Sequence, residues 1–360
     1  MGILSRLLLG LLGLALAQSA LAQGNPERIV AIGDLHGDYE AYLEIVEEAG
    51  LADSRGRWRG GETVLVQLGD LTDRGPDSRR IIEHLRELQE AAEDDGGQVI
   101  VLVGNHEAMN ITGDLRYVHP GEYEAFANRN SRELRDRVFE GSRDALVQYY
   151  RQWDAELSVN DARERWFEEN PLGKMEHRQA WSPQGEVGEW IVTLPAIARI
   201  GGSLFVHGGI SVETAARSIE AVNEEVSVEL AKGETYTPSI LTDEFGPLWY
   251  RGNVMRDPPP EPVEGEVVPP PPERPGIEVE LTAVLAAYDA ERLVVAHTPR
   301  LQGIEASLGG RLIRVDTGIS AHYGGAWSYL EIRDGNAVAH NRNENGDWVS
   351  EVLPSPGGGS

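Results

Sequence analysis

The strongest constraint on this chain is a pattern that recurs three times in its first 110 residues. An apolar run ends in glycine followed by polar groups: "ERIVAIGDLH" at 27–36, "ETVLVQLGDLTDRG" at 62–75 and "QVIVLVGNHE" at 98–107. Helical periodicity separates the runs. Tyr42, Leu43, Val46 and Ala49 share one helix face, and Ile81, Ile82, Leu85 and Leu88 share another, with Pro76 where the second helix can begin. Strand–helix–strand alternation predicts βαβ units and a mostly parallel sheet. Ligands of such sheets bind beyond the carboxyl ends of the strands, so the three polar tips should meet at one edge. A buried carboxylate or imidazole is costly without a partner, and a metal ion or an anion would supply one.

Strand-like segments resume in "WIVTLPAIARIGGSLFVHGGIS", "RLVVAHTPR" and "RLIRVDTGIS". Between them and the first three strands, residues 113–190 are charged and helix-rich, which reads as a helical cap inserted in one domain spanning 27–352. Leu134, Val138, Leu146, Tyr149 and Trp153 are the expected buried stripe of the cap. Residues 257–276, acidic and proline-rich, should form an extended exposed loop. Residues 353–360 should form a flexible tail.

The formal net charge of −27 argues against a nucleic-acid partner, which needs a basic footprint. At the start of the chain, Arg6, the apolar run Leu7–Ala17 and the small-x-small site Ala20-Leu21-Ala22 read as a secretory leader cut after Ala22. The run is short for a membrane span, so no stable membrane insertion is expected after cleavage. The chain has no cysteine, which suits an oxidising compartment and rules out a thiolate nucleophile. The bacterial periplasm or exterior is the expected location.

Five polar tips follow apolar runs in order: "GDLHG" at 33–37, "GDLTDRG" at 69–75, "GNHE" at 104–107, "HGG" at 207–209 and "AHTP" at 296–299. Asp34, His36, Asp70, Asn105, His207 and His297 are oxygen and nitrogen donors suited to Mn, Fe or Zn. Glu107 reads as a capping or supporting group. His84 falls on a polar helix face, His119, His177 and His340 lie outside any motif, and His322 is placed at the surface.

This set resembles the calcineurin-like metallophosphoesterases, and among them the phosphoprotein phosphatases. "GNHEAMNITGDLRYV" and "GPLWYRG" look most like the bacterial branch of Shewanella-like protein phosphatases. The resemblance covers roughly residues 27 to 335. It implies an α/β sandwich of two central sheets flanked by helices, with two divalent metal ions, Mn first among the candidates. By the same resemblance Asp34 and His36 hold one metal, Asp70 bridges both, and Asn105, His207 and His297 hold the second. A water activated between the metals attacks phosphorus, His106 protonates the leaving group with Asp73 behind it, Arg74 and Arg251 grip the phosphate, and Tyr323 lines the site. The chain departs from eukaryotic members at Leu71-Thr72, where they carry Tyr-Val, at Val103, where they carry arginine, and at Val212, where they carry proline.

The expected activity is hydrolysis of phosphotyrosine, phosphoserine or phosphothreonine in protein. Hydrolysis of small phosphate esters or dinucleoside polyphosphates is the alternative, although Asp73 and Glu107 favour the protein-phosphatase side. A metal-containing binding protein without turnover is a third reading, against which the intact donor set and the Asp73/His106 pair argue.

Overall fold

The computed structural model describes residues 26–234, 237–256 and 274–357. The leader at 1–22 and most of the proline-rich segment lie outside the described residues. Eleven strands form two sheets among the described residues. The first contains β1 (Arg28–Ile32), β2 (Val64–Gln67), β3 (Gln98–Val101), β9 (Ser328–Arg333), β10 (Asn336–Arg342) and β11 (Trp348–Val352), in the order β11-β10-β9-β1-β2-β3. The second contains β4 (Ile197–Ile200), β5 (Ser203–Val206), β6 (Arg292–Val295), β7 (Glu305–Ser307) and β8 (Leu312–Arg314), in the order β4-β5-β6-β8-β7. Strands β1, β2 and β3 run parallel, as do β5, β6 and β8. Antiparallel strands flank both sets, so each sheet is mixed rather than mostly parallel.

The two sheets pack face to face, and side chains alternate between the inner layer and the helices. Ile29 and Ala31 of β1, Phe205 of β5 and Val294 of β6 point into the layer between the sheets. Their neighbours Val30, Ile32, Leu204, Val206, Leu293 and Val295 point outward, under helices. Strands buried on both faces must be apolar throughout, which is why they read as continuous runs. Truncating Phe205 to alanine in this layer would cost about 3–5 kcal/mol.

The helices are α1 (Tyr39–Glu48), α2 (Ser78–Asp94), α3 (Asn105–Thr112), α4 (Pro120–Phe126), α5 (Ser131–Tyr150), α6 (Val159–Glu169), α7 (Lys174–Ala180), α8 (Gly188–Ile191), α9 (Val212–Ala215), α10 (Ile219–Lys232) and α11 (Ile277–Ala287). Helix α2 starts two residues beyond Pro76, behind the N-cap Asp77. Trp190 and Ile191, expected in a strand, close the short helix α8 instead. Among the described residues no helix is long and apolar enough to cross a membrane.

Within 113–190, α5 and α6 form a hairpin with its own small core of Phe139, Val147, Tyr150, Ala162 and Trp166. The expected stripe is displaced by about one position. Tyr149 is 52% exposed, Trp153 is 62% exposed, Val138 is exposed as well, and Leu134 is only half-buried. Phe139, Val147 and Tyr150 sit at helical spacing around α5 and face α6 in their place. At the other end of the chain Leu353, expected in the tail, is buried between the sheets, and its N–H donates to Ala337 O at 2.9 Å.

Candidate metal centre

All five polar tips lie just beyond the carboxyl ends of strands, those after β1, β2 and β3 from one sheet and those after β5 and β6 from the other. Backbone bonds lock the first two loops together: Leu35 N and His36 N donate to Asp70 O at 3.0 and 2.9 Å, and Gly37 N donates to Leu71 O at 2.8 Å. The Glu107 carboxylate ties in the third loop, accepting from Asp70 N at 2.9 Å, Leu71 N at 2.8 Å and Gly104 N at 2.8 Å. A Cβ at Gly104 would fall 2.2 Å from Asp70 Oδ1, so only glycine lets α3 start here. Asp38 caps α1 through Ala41 N and also accepts from Ala321 N at 2.9 Å, which brings the loop carrying Tyr323 over the first tip.

Backbone strain concentrates at the same place. Among the described residues eight non-glycine positions have positive φ, and five of them are His36, Asp70, Asp73, Arg74 and His297. Each such position costs about 1–2 kcal/mol, which the interlocked loops must overcome.

Three imidazoles turn a ring nitrogen toward the oxygens of the cluster. His36 Nδ1–H donates to Thr72 O at 3.0 Å, leaving the Nε2 lone pair 3.8 Å from Asp70 Oδ2 and 4.0 Å from Asp34 Oδ2. His207 Nδ1–H donates to Leu68 O at 2.8 Å, leaving Nε2 3.0 Å from Asn105 Oδ1 and 3.3 Å from Asp70 Oδ2. His297 Nε2 is buried with no hydrogen-bond partner among the described residues. Where these nitrogens are unprotonated, their lone pairs stand beside carboxylate and carboxamide oxygens, and a cation between them would satisfy both. The donor atoms of His36, Asp70 and His106 lie within 4.8 Å of one another, as do those of Asp70, His207 and His297. Asp70 belongs to both sets. The residues present therefore fit two metal ions.

The electrostatics divide the three imidazoles: burial opposes the charge on His207, but the Asp70 carboxylate raises that ring above its ordinary value, whereas the other two are held low. Burial pulls the His36 imidazole down to about 3, and burial, with the neighbouring His207 imidazole, holds His297 low as well. Burial and the Asp316 and Asp70 carboxylates push Asp34 well above the carboxylate range. Burial also pushes Asp70 up, but the His207 and His106 imidazoles outweigh it and hold that carboxyl low. Five carboxylates, those of Asp34, Asp70, Asp73, Glu107 and Asp316, are buried within this one centre, and cations there would offset their mutual repulsion.

Asp316 was not among the expected site residues. It follows β8, shares a side-chain hydrogen bond with Asp34, and accepts from Gly318 N at 2.9 Å. Its signal was legible in "RLIRVDTGIS", a sixth apolar run ending in a polar tip.

His106 stands at the first turn of α3. Its Nδ1–H donates to Asp73 Oδ2 at 2.6 Å, and Asn110 Nδ2 holds the other Asp73 oxygen at 2.9 Å. Burial lowers the His106 pKa, yet Asp70 and Asp73 outweigh burial and raise it above the ordinary value. Arg74 and Arg251 flank the centre, and among the described residues neither has a carboxylate in ion-pair reach. Arg251 donates to His297 O at 2.8 Å and Thr298 Oγ1 at 3.0 Å. The Arg74 guanidinium lies 4.6 Å from the Tyr117 ring centre and 5.2 Å from that of Tyr323. Tyr323 also lies 5.5 Å from the His36 ring. The structure thus brings every expected site residue to one centre. His322, placed at the surface but adjoining Tyr323 and so near the site in sequence, is exposed and sits with Nε2 3.2 Å from Arg74 Nη1. His84, expected on a polar face, is buried with Nε2–H donating to Gly56 O at 2.6 Å.

Residues 27–301 match the family model of the calcineurin-like phosphoesterases. The chain is 32% identical over 320 residues to Shewanella-like protein phosphatase 2 of Arabidopsis thaliana, covering 87% of this chain and 77% of that one. It is 28% identical over 319 residues to Shewanella-like protein phosphatase 1 of Plasmodium berghei, covering 85% and 72%. The crystal structure of a cold-active protein-tyrosine phosphatase from a psychrophilic Shewanella species superposes with a TM-score of 0.61 at 24% identity, covering 91% and 80%.

Proposed function

Since the chain belongs to the calcineurin-like phosphoesterases, with the Shewanella-like protein phosphatases as its kin, and is a metal-dependent phosphatase, we propose that it removes phosphate from phosphorylated protein. The observation that carries this reading is the Asp70 carboxylate, which is shared by two groups of possible metal donors, one of which includes His106, the histidine backed by Asp73. Asp34 and His36 would hold one ion, Asn105, His207 and His297 the other, and Asp70 both. Divalent ions bound there neutralise phosphoryl oxygens and acidify water. Mn is the first candidate, and the nitrogen and oxygen donor set also suits Fe or Zn.

The chain's own groups do the rest. Asp73 fixes the His106 tautomer and favours its protonated form, so Nε2 presents a proton to the oxygen leaving phosphorus. Arg74 and Arg251, free of carboxylate partners, offer their guanidinium groups to the phosphate. Glu107, Gly104 and Asp38 hold the loops in register.

The test is turnover by metal-reconstituted protein on phosphotyrosyl, phosphoseryl and phosphothreonyl peptides, nucleotides, dinucleoside polyphosphates and phosphodiesters. Hydrolysis of the peptides is expected. Hydrolysis of nucleotides or dinucleoside polyphosphates with inert peptides would overturn the reading. Export to the periplasm or exterior belongs to the same proposal and is supported by Arg6, the apolar run and Ala20-Leu21-Ala22 alone.

A further inference from the structure

We propose that Tyr117 is the contact by which this phosphatase favours an aryl phosphate ester, phosphotyrosine, over the alkyl esters of serine and threonine. The inference rests on the reading of His106 as proton donor and deepens it. The donor must lie beside the leaving oxygen, so whatever that oxygen is attached to lies beside the donor as well. The Tyr117 ring is packed against the donor. It belongs to the turn between α3 and α4, its ring centre is 5.2 Å from that of His106, and it remains 38% exposed. A phenyl ring on the leaving oxygen would find an aromatic face there, whereas a seryl methylene has little surface to offer it.

Tyr117 has a second contact that must be separated from the first. Its carbonyl accepts Arg74 N–H at 2.9 Å, and its ring lies against the Arg74 guanidinium. Through these contacts it is a positioning residue for Arg74, and a disturbance of Arg74 affects every phosphate ester alike. Tyr323 provides the internal comparison. It also packs on Arg74, but its ring neighbours are His36 and His322 rather than His106.

The experiment measures kcat/KM on phosphotyrosyl and phosphoseryl peptides of identical flanking sequence. It uses the metal-loaded wild type, Tyr117→Leu, Tyr117→Phe and Tyr323→Leu, each checked for an unchanged melting profile. Tyr117→Leu keeps apolar bulk and loses the aromatic face, so the phosphotyrosyl-to-phosphoseryl ratio should fall by about three- to tenfold. Tyr117→Phe should keep the wild-type ratio, and Tyr323→Leu should lower both rates in proportion. An unchanged ratio in Tyr117→Leu, or a wild type that hydrolyses only the phosphoseryl peptide, would overturn the inference and leave the protein-phosphatase reading standing. A wild type inert on both peptides would overturn both.

Discussion

The Glu107 carboxylate and the Asp70 backbone are joined across two loops. One carboxylate oxygen accepts the Asp70 N–H at 2.9 Å, and the other accepts the Leu71 N–H at 2.8 Å. Asp70 is the donor common to both metal sets, so Glu107 sets the position of the residue on which the centre turns. Burial, with Asp70 nearby, pushes the Glu107 pKa up to about 7. Three N–H donors and two neighbouring cations favour its charged form in the loaded protein.

Glu107→Ala should therefore damage the centre without removing a ligand. Three buried N–H groups lose their acceptor, at about 1–3 kcal/mol each. Metal affinity should fall by about 10–100-fold, as for other residues that orient ligands. Metal titration followed by calorimetry checks this, and wild-type affinity in the variant would refute the role.

Asp70→Asn should be the most damaging change among the six proposed ligands, because one carboxylate serves both ions. Metal analysis should find both lost or weakened, with turnover falling accordingly. Retention of two ions and full turnover would rule out a shared ligand.

His106→Ala should keep the metals and lower kcat by about 10²–10⁴. The loss should shrink on p-nitrophenyl phosphate, whose leaving group departs with little protonation. Asp73→Asn should behave similarly but more mildly, since it acts through the imidazole. His207→Ala should instead lose metal first and keep the wild-type leaving-group dependence. Uniform loss across leaving groups with depleted metal in His106→Ala would make His106 a ligand.

Asp316 gives a pH signature in the metal-free protein. Burial raises its pKa from 3.8 to about 6. Below about 3.8 the folded and unfolded chains both hold its proton, and the contribution to stability is fully present. As pH rises through about 6, the unfolded chain has already released the proton that the fold retains, so that contribution is lost. Asp316→Asn should flatten this part of the stability curve. Urea denaturation of metal-free wild type and variant between pH 4 and pH 7 measures the difference. Parallel curves would contradict the assignment.

If residues 1–22 direct export, the secreted protein should begin at Gln23. Intact-mass measurement of the exported chain decides this, and an unprocessed N-terminus in a membrane fraction would exclude it.

The donors were legible in the sequence because each closes a strand buried on both faces, and such strands leave an unbroken apolar run ending in glycine. Strands β9 to β11 escaped notice. Their residues alternate with exposed positions, as in Asn336–Arg342, and they carry no polar tip. Asp316 closes a run of the same form, but its sequence neighbourhood carries no metal-ligand spacing. The packing face of α5 was misplaced because α5 has apolar residues at both Val138 and Phe139, and at both Leu146 and Val147. Only the partner helix decides between the two faces.

The centre draws Asp34, His36, Asp70 and Asn105 from the first sheet and His207 and His297 from the second. Residues 34–70 carry every donor proposed for the first ion, whereas the donors for the second run from Asp70 to His297. The second site therefore cannot precede the docking of the two sheets, and its closure spans more than 220 residues between Asp70 and His297. Contacts of such separation form late and slowly. Capture of the second ion should accordingly be among the last events of folding, and a nascent chain still short of His297 lacks one of its donors.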